Sequence, residues 1–110
     1  MPLKPLVFET LLALVDEPRH GWALVREVET RLGGDLLLPG NFYRTLRRLL
    51  TDGLIEEARV TRRGKDVDGH DPRRRYFQLT AHGERVAKAE ARRLEALVGD
   101  RRVRRLLKAR

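Results

Sequence analysis

The chain has 110 residues, the size of one compact domain, and 41% of them are hydrophobic, so a modest core can form. It contains no cysteine, which excludes disulfides, thiolate metal sites and cysteine nucleophiles. The net charge is +8 and is concentrated in residues 59–110, which carry 17 Lys and Arg against 7 Asp and Glu. So basic a half favours a polyanionic partner, because each cation that meets a phosphate releases condensed counterions.

Apolar residues at helical spacing predict three helices in the first half of the chain. The first covers residues 3–15 and ends before Pro18, since proline disfavours helical geometry in the residue preceding it. The second runs from His20-Gly21 to about Leu32, where a pair of glycines follows. The third follows Pro39-Gly40 and ends near Thr51, before a turn of Asp and Gly.

Two short β-compatible segments come next, at residues 54–60 and 75–79. The stretch between them is rich in Gly, Asp, Pro and Arg, so we expect a hairpin with a long polar tip. From Thr80, a good N-cap residue, the pattern is helical to the end of the chain, with a break at Gly99-Asp100. The order of elements is therefore three helices, strand, loop, strand and long helix.

This order predicts a mainly α fold with a small β-hairpin, namely a winged helix-turn-helix followed by a C-terminal dimerisation helix. We place the winged helix-turn-helix at residues 1–79 and the dimerisation helix at residues 80–110. The last helix carries an apolar stripe that changes phase at Gly99, and a two-fold dimer would cover such a stripe. Its members are Val86, Leu94, Leu97, Val98, Val103, Leu106 and Leu107.

The third helix has two chemically different faces. Phe42, Leu46, Leu49 and Leu50 share one face, which is suited to packing. The opposite face offers amide and guanidinium groups, and these are the groups that read adenine and guanine in the major groove. A solvated polar surface is the plain alternative, but the neighbouring helices and basic hairpin favour DNA. The candidate contacts on this helix are Asn41, Tyr43, Arg44, Thr45, Arg47 and Arg48.

The tip of the hairpin is also cationic. A mobile basic loop can follow phosphates or enter a minor groove, where the negative potential favours arginine. The alternative is an ordinary solvated loop, since three aspartates offset part of the charge. The candidate contacts here are Arg62, Arg63, Lys65, Arg73, Arg74 and Arg75.

With these elements in place, the sequence resembles the PadR family of transcriptional regulators over nearly its whole length. The matching stretches are Leu11–Leu14, Pro18–Trp22, Gly40–Tyr43 with Leu46–Leu49, Asp52–Ile55 and Arg75–Gly83. The resemblance implies a cytoplasmic repressor that binds double-stranded DNA as a homodimer, with one recognition helix for each half-site. It also implies that the N-terminal helix, with Leu3 and Leu6, joins the C-terminal helices in the dimer interface.

This chain departs from the family pattern at sites that matter. Asn41 and Arg44 stand where the family usually has Thr and Pro, which indicates an operator preference of its own. Some relatives bind planar aromatic compounds between subunits with help from an aromatic residue in the last helix. No aromatic residue follows Phe77 here, and the sequence identifies no effector.

Other site chemistries find little support. Of the three histidines, His20 is expected to cap or pack a helix, and His70 lies near two aspartates without a credible metal geometry. Trp22 is expected in the core, with effector stacking as the lesser alternative. We predict no metal, no cofactor and no enzyme, because no nucleophile–base or paired-carboxylate constellation is visible. No apolar run approaches the roughly 20 residues that span a bilayer, so no membrane partner is predicted.

Two rival interpretations remain. In one, the chain is a winged-helix module that binds protein or RNA instead of operator DNA. In the other, it binds DNA but belongs to another winged-helix family such as the MarR-like regulators, which usually carry a longer N-terminal dimerisation helix. A steep loss of binding with salt, together with sequence-specific competition, would favour operator DNA.

Overall fold

A computed structural model describes residues 2–32, 39–58 and 75–108. Within these ranges the fold is mainly helical with one small antiparallel sheet, which confirms the predicted fold class. The helices are α1 (Pro5–Leu12), α2 (Gly21–Arg31), α3 (Pro39–Thr51), α4 (Ala81–Val98) and α5 (Arg101–Lys108). The strands are β1 (Arg19–His20), β2 (Ile55–Ala58) and β3 (Tyr76–Leu79).

The first helix is shorter than the periodicity of residues 3–15 predicts. After Leu12 the backbone tightens, since Leu14 N–H donates to Leu11 O and Val15 N–H donates to Leu12 O. The side chain of Arg19 then donates from Nε to the carbonyl oxygen of Ala13 at 2.7 Å. A residue outside the helix thus satisfies a carbonyl that a longer helix would have bonded internally.

The predicted starts of α2 and α4 are confirmed, because both have side-chain caps. The imidazole Nδ1 of His20 accepts from the backbone N–H of Ala23 at 3.3 Å, and Thr80 Oγ1 accepts from Gly83 N–H at 2.9 Å. Each cap satisfies one donor of the first helical turn that has no partner within the helix. The break at Gly99 is confirmed as well, and it separates α4 from α5.

The sheet contains a strand that the sequence analysis misses. The hairpin of β2 and β3 is present, with Ile55 opposite Leu79 and Ala58 opposite Tyr76. On the other side of β3 lies β1, which pairs Arg19 with Phe77, so the strand order is β1-β3-β2. Two residues are too few for an alternating pattern, and only the position of β3 makes them a strand.

The turn between α3 and β2 fixes how the sheet leaves the helix. Gly53 adopts φ +76°, and its N–H donates to Leu50 O while Leu54 N–H donates to Leu49 O. These two bonds form a Schellman motif, which ends a helix at a residue in the left-handed region. The turn also meets the start of α4, because Thr80 N–H donates to Leu54 O and Thr80 Oγ1 donates to Gly53 O.

One core joins the three helices to the sheet and to the first turns of α4. It includes Leu24 and Val28 of α2 and Phe42 of α3, all fully buried. The other members are Leu11, Ala13, Leu14, Leu46, Leu49, Leu54, Ile55, Phe77 and Ala87. The side of α3 opposite this core is exposed.

Candidate nucleic-acid interface

Helix α3 has the two faces that its sequence predicts. Phe42, Leu46 and Leu49 are buried, whereas Asn41, Tyr43, Arg44, Arg47 and Arg48 are exposed and Thr45 is half-buried. The start of α2 packs beside this helix, since a methyl group placed on Gly21 would lie 3.9 Å from the ring of Tyr43. The exposed face of α3 therefore presents five hydrogen-bonding side chains on a helix that is anchored from behind.

Three of these side chains take part in weak contacts within α3 or at its end. Arg44 Nη1 donates to Asn41 Oδ1 at 3.1 Å, and Arg48 Nε donates to Asp52 Oδ2 at 3.2 Å. Both contacts are exposed, and such pairs contribute well under 1 kcal/mol in water. A nucleic-acid group can therefore replace either partner at little cost.

Among the predicted hairpin contacts, Arg75 is the one that the structure describes. Its guanidinium is largely exposed and forms an ion pair with Glu57 on β2, with Nε donating at 2.9 Å. It also lies over the ring of Phe77, with 5.9 Å between Cζ and the ring centroid. The remaining predicted contacts lie outside the described residues: Arg62, Arg63, Lys65, Arg73 and Arg74.

The predicted core position of Trp22 is wrong, because the side chain is 62% exposed. Leu24 and Val28 set the buried face of α2, and Trp22 precedes Leu24 by two residues, about 200° around the helix. The indole thus points away from the core. Arg26, one turn later, places its guanidinium 5.7 Å from the centroid of the ring.

Trp22 lines a groove of about 510 Å³ between the start of α2, the flank of α3 and strand β3. The deeper lining residues are apolar, since Leu46 and Phe77 are buried. The exposed lining residues are Trp22, Tyr43, Arg47 and Arg75. We call this feature the α3–sheet groove.

The predicted dimerisation residues fall into two groups. Leu3, Leu6 and Val86 are half-buried and pack against the core of their own chain. Leu94 and Val103 are also half-buried. The most exposed members lie at the end of α4 and in α5, and they are Leu97, Val98, Leu106 and Leu107.

A buried carboxylate marks the point where α4 leaves the core. Glu90 is 5% exposed and accepts two hydrogen bonds from Arg93, at 2.9 and 2.8 Å. The hydrogen bonds from Arg93 are the main reason why the pKa of Glu90 lies below its ordinary value. A contribution from the backbone of Leu3 acts in the same direction, whereas burial opposes the shift. Both members of the pair lie on α4, the helix that packs against α1.

Metal and membrane chemistry receive no support from the described part of the chain. Its histidine, aspartate and glutamate side chains nowhere gather in threes as a metal ion would need. His70 and its neighbouring aspartates lie outside the described residues. None of the described helices combines the length and apolar character needed to cross a bilayer.

The fold is a winged helix-turn-helix of the DNA-binding type. Its defining features are the buried core beneath α3, the three-stranded sheet beside that helix and the exposed polar face of the helix. Residues 10–89 match the model of the transcriptional regulator PadR-like family, and the chain belongs to that family. DNA-binding regulation is the activity that this membership supports, and the family consists of regulators instead of enzymes. No curated protein sequence matches the chain at a significant level.

Solved structures agree with this assignment. A PadR family transcriptional regulator from Eggerthella lenta is 27% identical, with 96% of this chain and 83% of that chain covered and a TM-score of 0.64. RosR from H. salinarum is 25% identical, with 96% and 87% covered and a TM-score of 0.63. A transcriptional regulator from Clostridium thermocellum shares the fold at 16% identity, with 84% and 82% covered and a TM-score of 0.64.

Proposed function

We propose that this chain represses transcription as a homodimer that inserts α3 into the major groove of a pseudo-palindromic operator. The observation that carries the proposal is the exposed face of α3, where Asn41, Arg44, Arg47 and Arg48 stand opposite a fully buried Phe42. A helix fixed from behind can enter a groove without first paying to order itself. A dimer seated across a promoter would block access to that DNA, which favours repression, and such a regulator would act in the cytoplasm.

The side chains on this face suit base reading. Arginine can donate two hydrogen bonds to guanine, and asparagine can pair bidentately with adenine. Because the present partners of Arg44 and Arg48 are exposed and weak, both side chains are available to DNA. Arg47 and Tyr43 flank the face and would contact the phosphate backbone.

The homodimer is proposed from the apolar surface at the end of the molecule. Leu106 and Leu107 are 74% and 71% exposed, and Leu97 and Val98 extend the same apolar region on α4. A second copy of α4 and α5 would cover these side chains, at about 25 cal/mol for each Å² of apolar area buried. Residues 1–79 would then be the DNA-binding unit and residues 80–110 the dimerisation unit.

Dimer symmetry predicts the layout of the operator. Two copies of α3 related by a two-fold axis would read half-sites whose centres are about 10–10.5 bp apart, or a multiple of that spacing. The cations of the hairpin, including Arg73 and Arg74, would add phosphate contacts that carry no sequence information. Neutralising them should weaken binding to any DNA. The slope of log affinity against log salt concentration should fall by roughly one unit for each phosphate contact that is lost.

The experiment that tests the proposal is a footprint on the DNA upstream of the chain's own gene. A protected pseudo-palindrome, and binding that survives excess random DNA, are the expected results. Binding that random duplex competes away as well as the protected sequence does would contradict operator recognition. Tighter binding to RNA than to duplex would favour the rival winged-helix module.

A further inference from the structure

The single tryptophan of the chain is exposed to solvent, although tryptophan is a large apolar side chain that gains stability when it is buried. Trp22 is 62% exposed at the first turn of α2. At protein–protein interfaces, Trp and Arg are enriched among the residues that carry most of the binding energy. The position of Trp22 therefore calls for a partner outside this chain.

The surroundings of the indole identify the chemistry of that partner. In the α3–sheet groove, Trp22 shares a surface with Tyr43 and Arg47 of α3. Arg47 makes no hydrogen bond or ion pair with any residue that the structure describes. Arg26 supplies a second cation, close to the indole ring itself. An apolar platform with cations beside it suits a ligand that alternates apolar and anionic groups.

One strand of duplex DNA has this alternation, because each deoxyribose lies between two phosphates and each phosphate carries one negative charge. The groove is also continuous with the exposed face of α3 through Tyr43 and Arg47, which belong to both. When a DNA strand lies in this groove, the exposed face of α3 is therefore next to the bases of that strand. Arg75, already paired with Glu57, would contribute less charge than Arg47.

We propose that the α3–sheet groove holds the sugar–phosphate backbone of one DNA strand, with the indole of Trp22 packed on a deoxyribose and Arg47 bound to an adjacent phosphate. The contact is independent of base sequence and sets the depth and angle at which α3 enters the major groove. This inference rests on the DNA binding of the proposed function, but it does not depend on the operator, on repression or on dimer symmetry.

A mixed-sequence 30-bp duplex tests the contact, since no operator is needed. Trp22→Ala should weaken binding about tenfold for each bound subunit, because the apolar burial is lost. The slope of log affinity against log salt should stay unchanged, because no charge is removed. Trp22→Phe should keep most of the affinity, whereas Arg47→Gln should lower the slope by about one unit.

Two variants serve as matched controls. Val15→Ala removes an apolar side chain that is 53% exposed and lies outside the groove, and Arg92→Gln removes an exposed cation on α4. Val15→Ala should not weaken binding as Trp22→Ala does. Arg92→Gln should not lower the salt slope as Arg47→Gln does. A melting temperature for each variant separates loss of contact from loss of fold.

Fluorescence supplies a readout that unfolding does not imitate, because Trp22 is the only indole in the chain. Saturating the wild-type protein with the duplex should shift or quench its tryptophan emission. Adding 1-naphthoate at millimolar concentration should leave DNA binding intact.

A folded Trp22→Ala variant with wild-type affinity would overturn the inference, as would unchanged emission at saturation. Displacement of DNA by 1-naphthoate would assign the groove to a small aromatic anion. Failure of the wild type to bind any duplex would instead refute the proposed function.

Discussion

The two ends of this molecule differ in how they use their apolar residues. In the winged-helix part, Phe42, Leu24 and Val28 are completely buried within one chain. Beyond Glu90, no residue up to position 108 is buried, and Leu106 and Leu107 remain more than 70% exposed. The first region therefore has a hydrophobic core of its own. The second region leaves the apolar faces of its helices exposed, and the proposed dimer would cover them.

The junction between the two regions offers the largest expected effect. A methyl group on Gly83 would overlap the carbonyl oxygen of Leu54 and lie 2.9 Å from its carbonyl carbon, and backbone cannot move aside as a side chain can. We expect Gly83→Ala to lower the free energy of unfolding by about 3 kcal/mol or more. Urea denaturation followed by circular dichroism measures the loss.

Gly99 provides the matched control, because it has helical geometry at φ −77° and the nearest atom to an added methyl is 3.5 Å away. Gly99→Ala should change stability by less than about 1 kcal/mol, in the stabilising direction. Equal losses in the two variants would show that α4 does not pack on the turn at Leu54.

The exposed end of the molecule supplies the second test. Leu97→Glu combined with Leu106→Glu should raise the dissociation constant of the dimer about 100-fold or more, because two apolar contacts become charged in each subunit. Sedimentation measures the assembly, and unfolding at low protein concentration should stay near the wild-type midpoint. A wild-type protein that sediments as a folded monomer at micromolar concentration would contradict the dimer.

The recognition face should give a smaller effect that leaves the fold intact. Arg44→Ala or Arg48→Ala should each cost about 1–3 kcal/mol in operator binding and relax preference at one base pair in each half-site. Binding titrations against the operator and a random duplex measure the two quantities. The exposed Arg92→Ala on α4 is the control. Equal losses on both DNAs would make these arginines phosphate contacts.

The smallest effect concerns Glu90, which couples the two regions. Since its pKa is lowered in the folded chain, its contribution to stability is present above the ordinary value of 4.5 and is lost as the pH falls through the lower folded pKa. Unfolding midpoints of the wild type should therefore decline more steeply below pH 4.5 than those of Glu90→Gln. Parallel pH profiles would show that the pair with Arg93 adds nothing to folding.

Local patterns in the sequence predict most of the elements correctly. The apolar spacing of Phe42, Leu46 and Leu49 identifies the buried face of α3, and His20 and Thr80 identify the starts of two helices. The break at Gly99 is local in the same sense. These features depend on residues within a few positions of one another, so a linear pattern carries them.

The features that the sequence could not predict all involve distant partners. Strand β1 exists because Phe77 and Tyr76 lie beside Arg19 and His20. The sequence also does not show that α1 packs against α4.

Trp22 shows most clearly the difference between what the sequence predicts and what tertiary packing decides. Its hydrophobicity favours the core, but the buried face of α2 is set by Leu24 and Val28, and the indole lies opposite them. The sequence by itself thus determined the helices, their caps and the two faces of α3, because these follow from local geometry. Tertiary packing alone decided which remaining side chains are exposed and which elements meet, because burial depends on contacts between segments far apart in the chain.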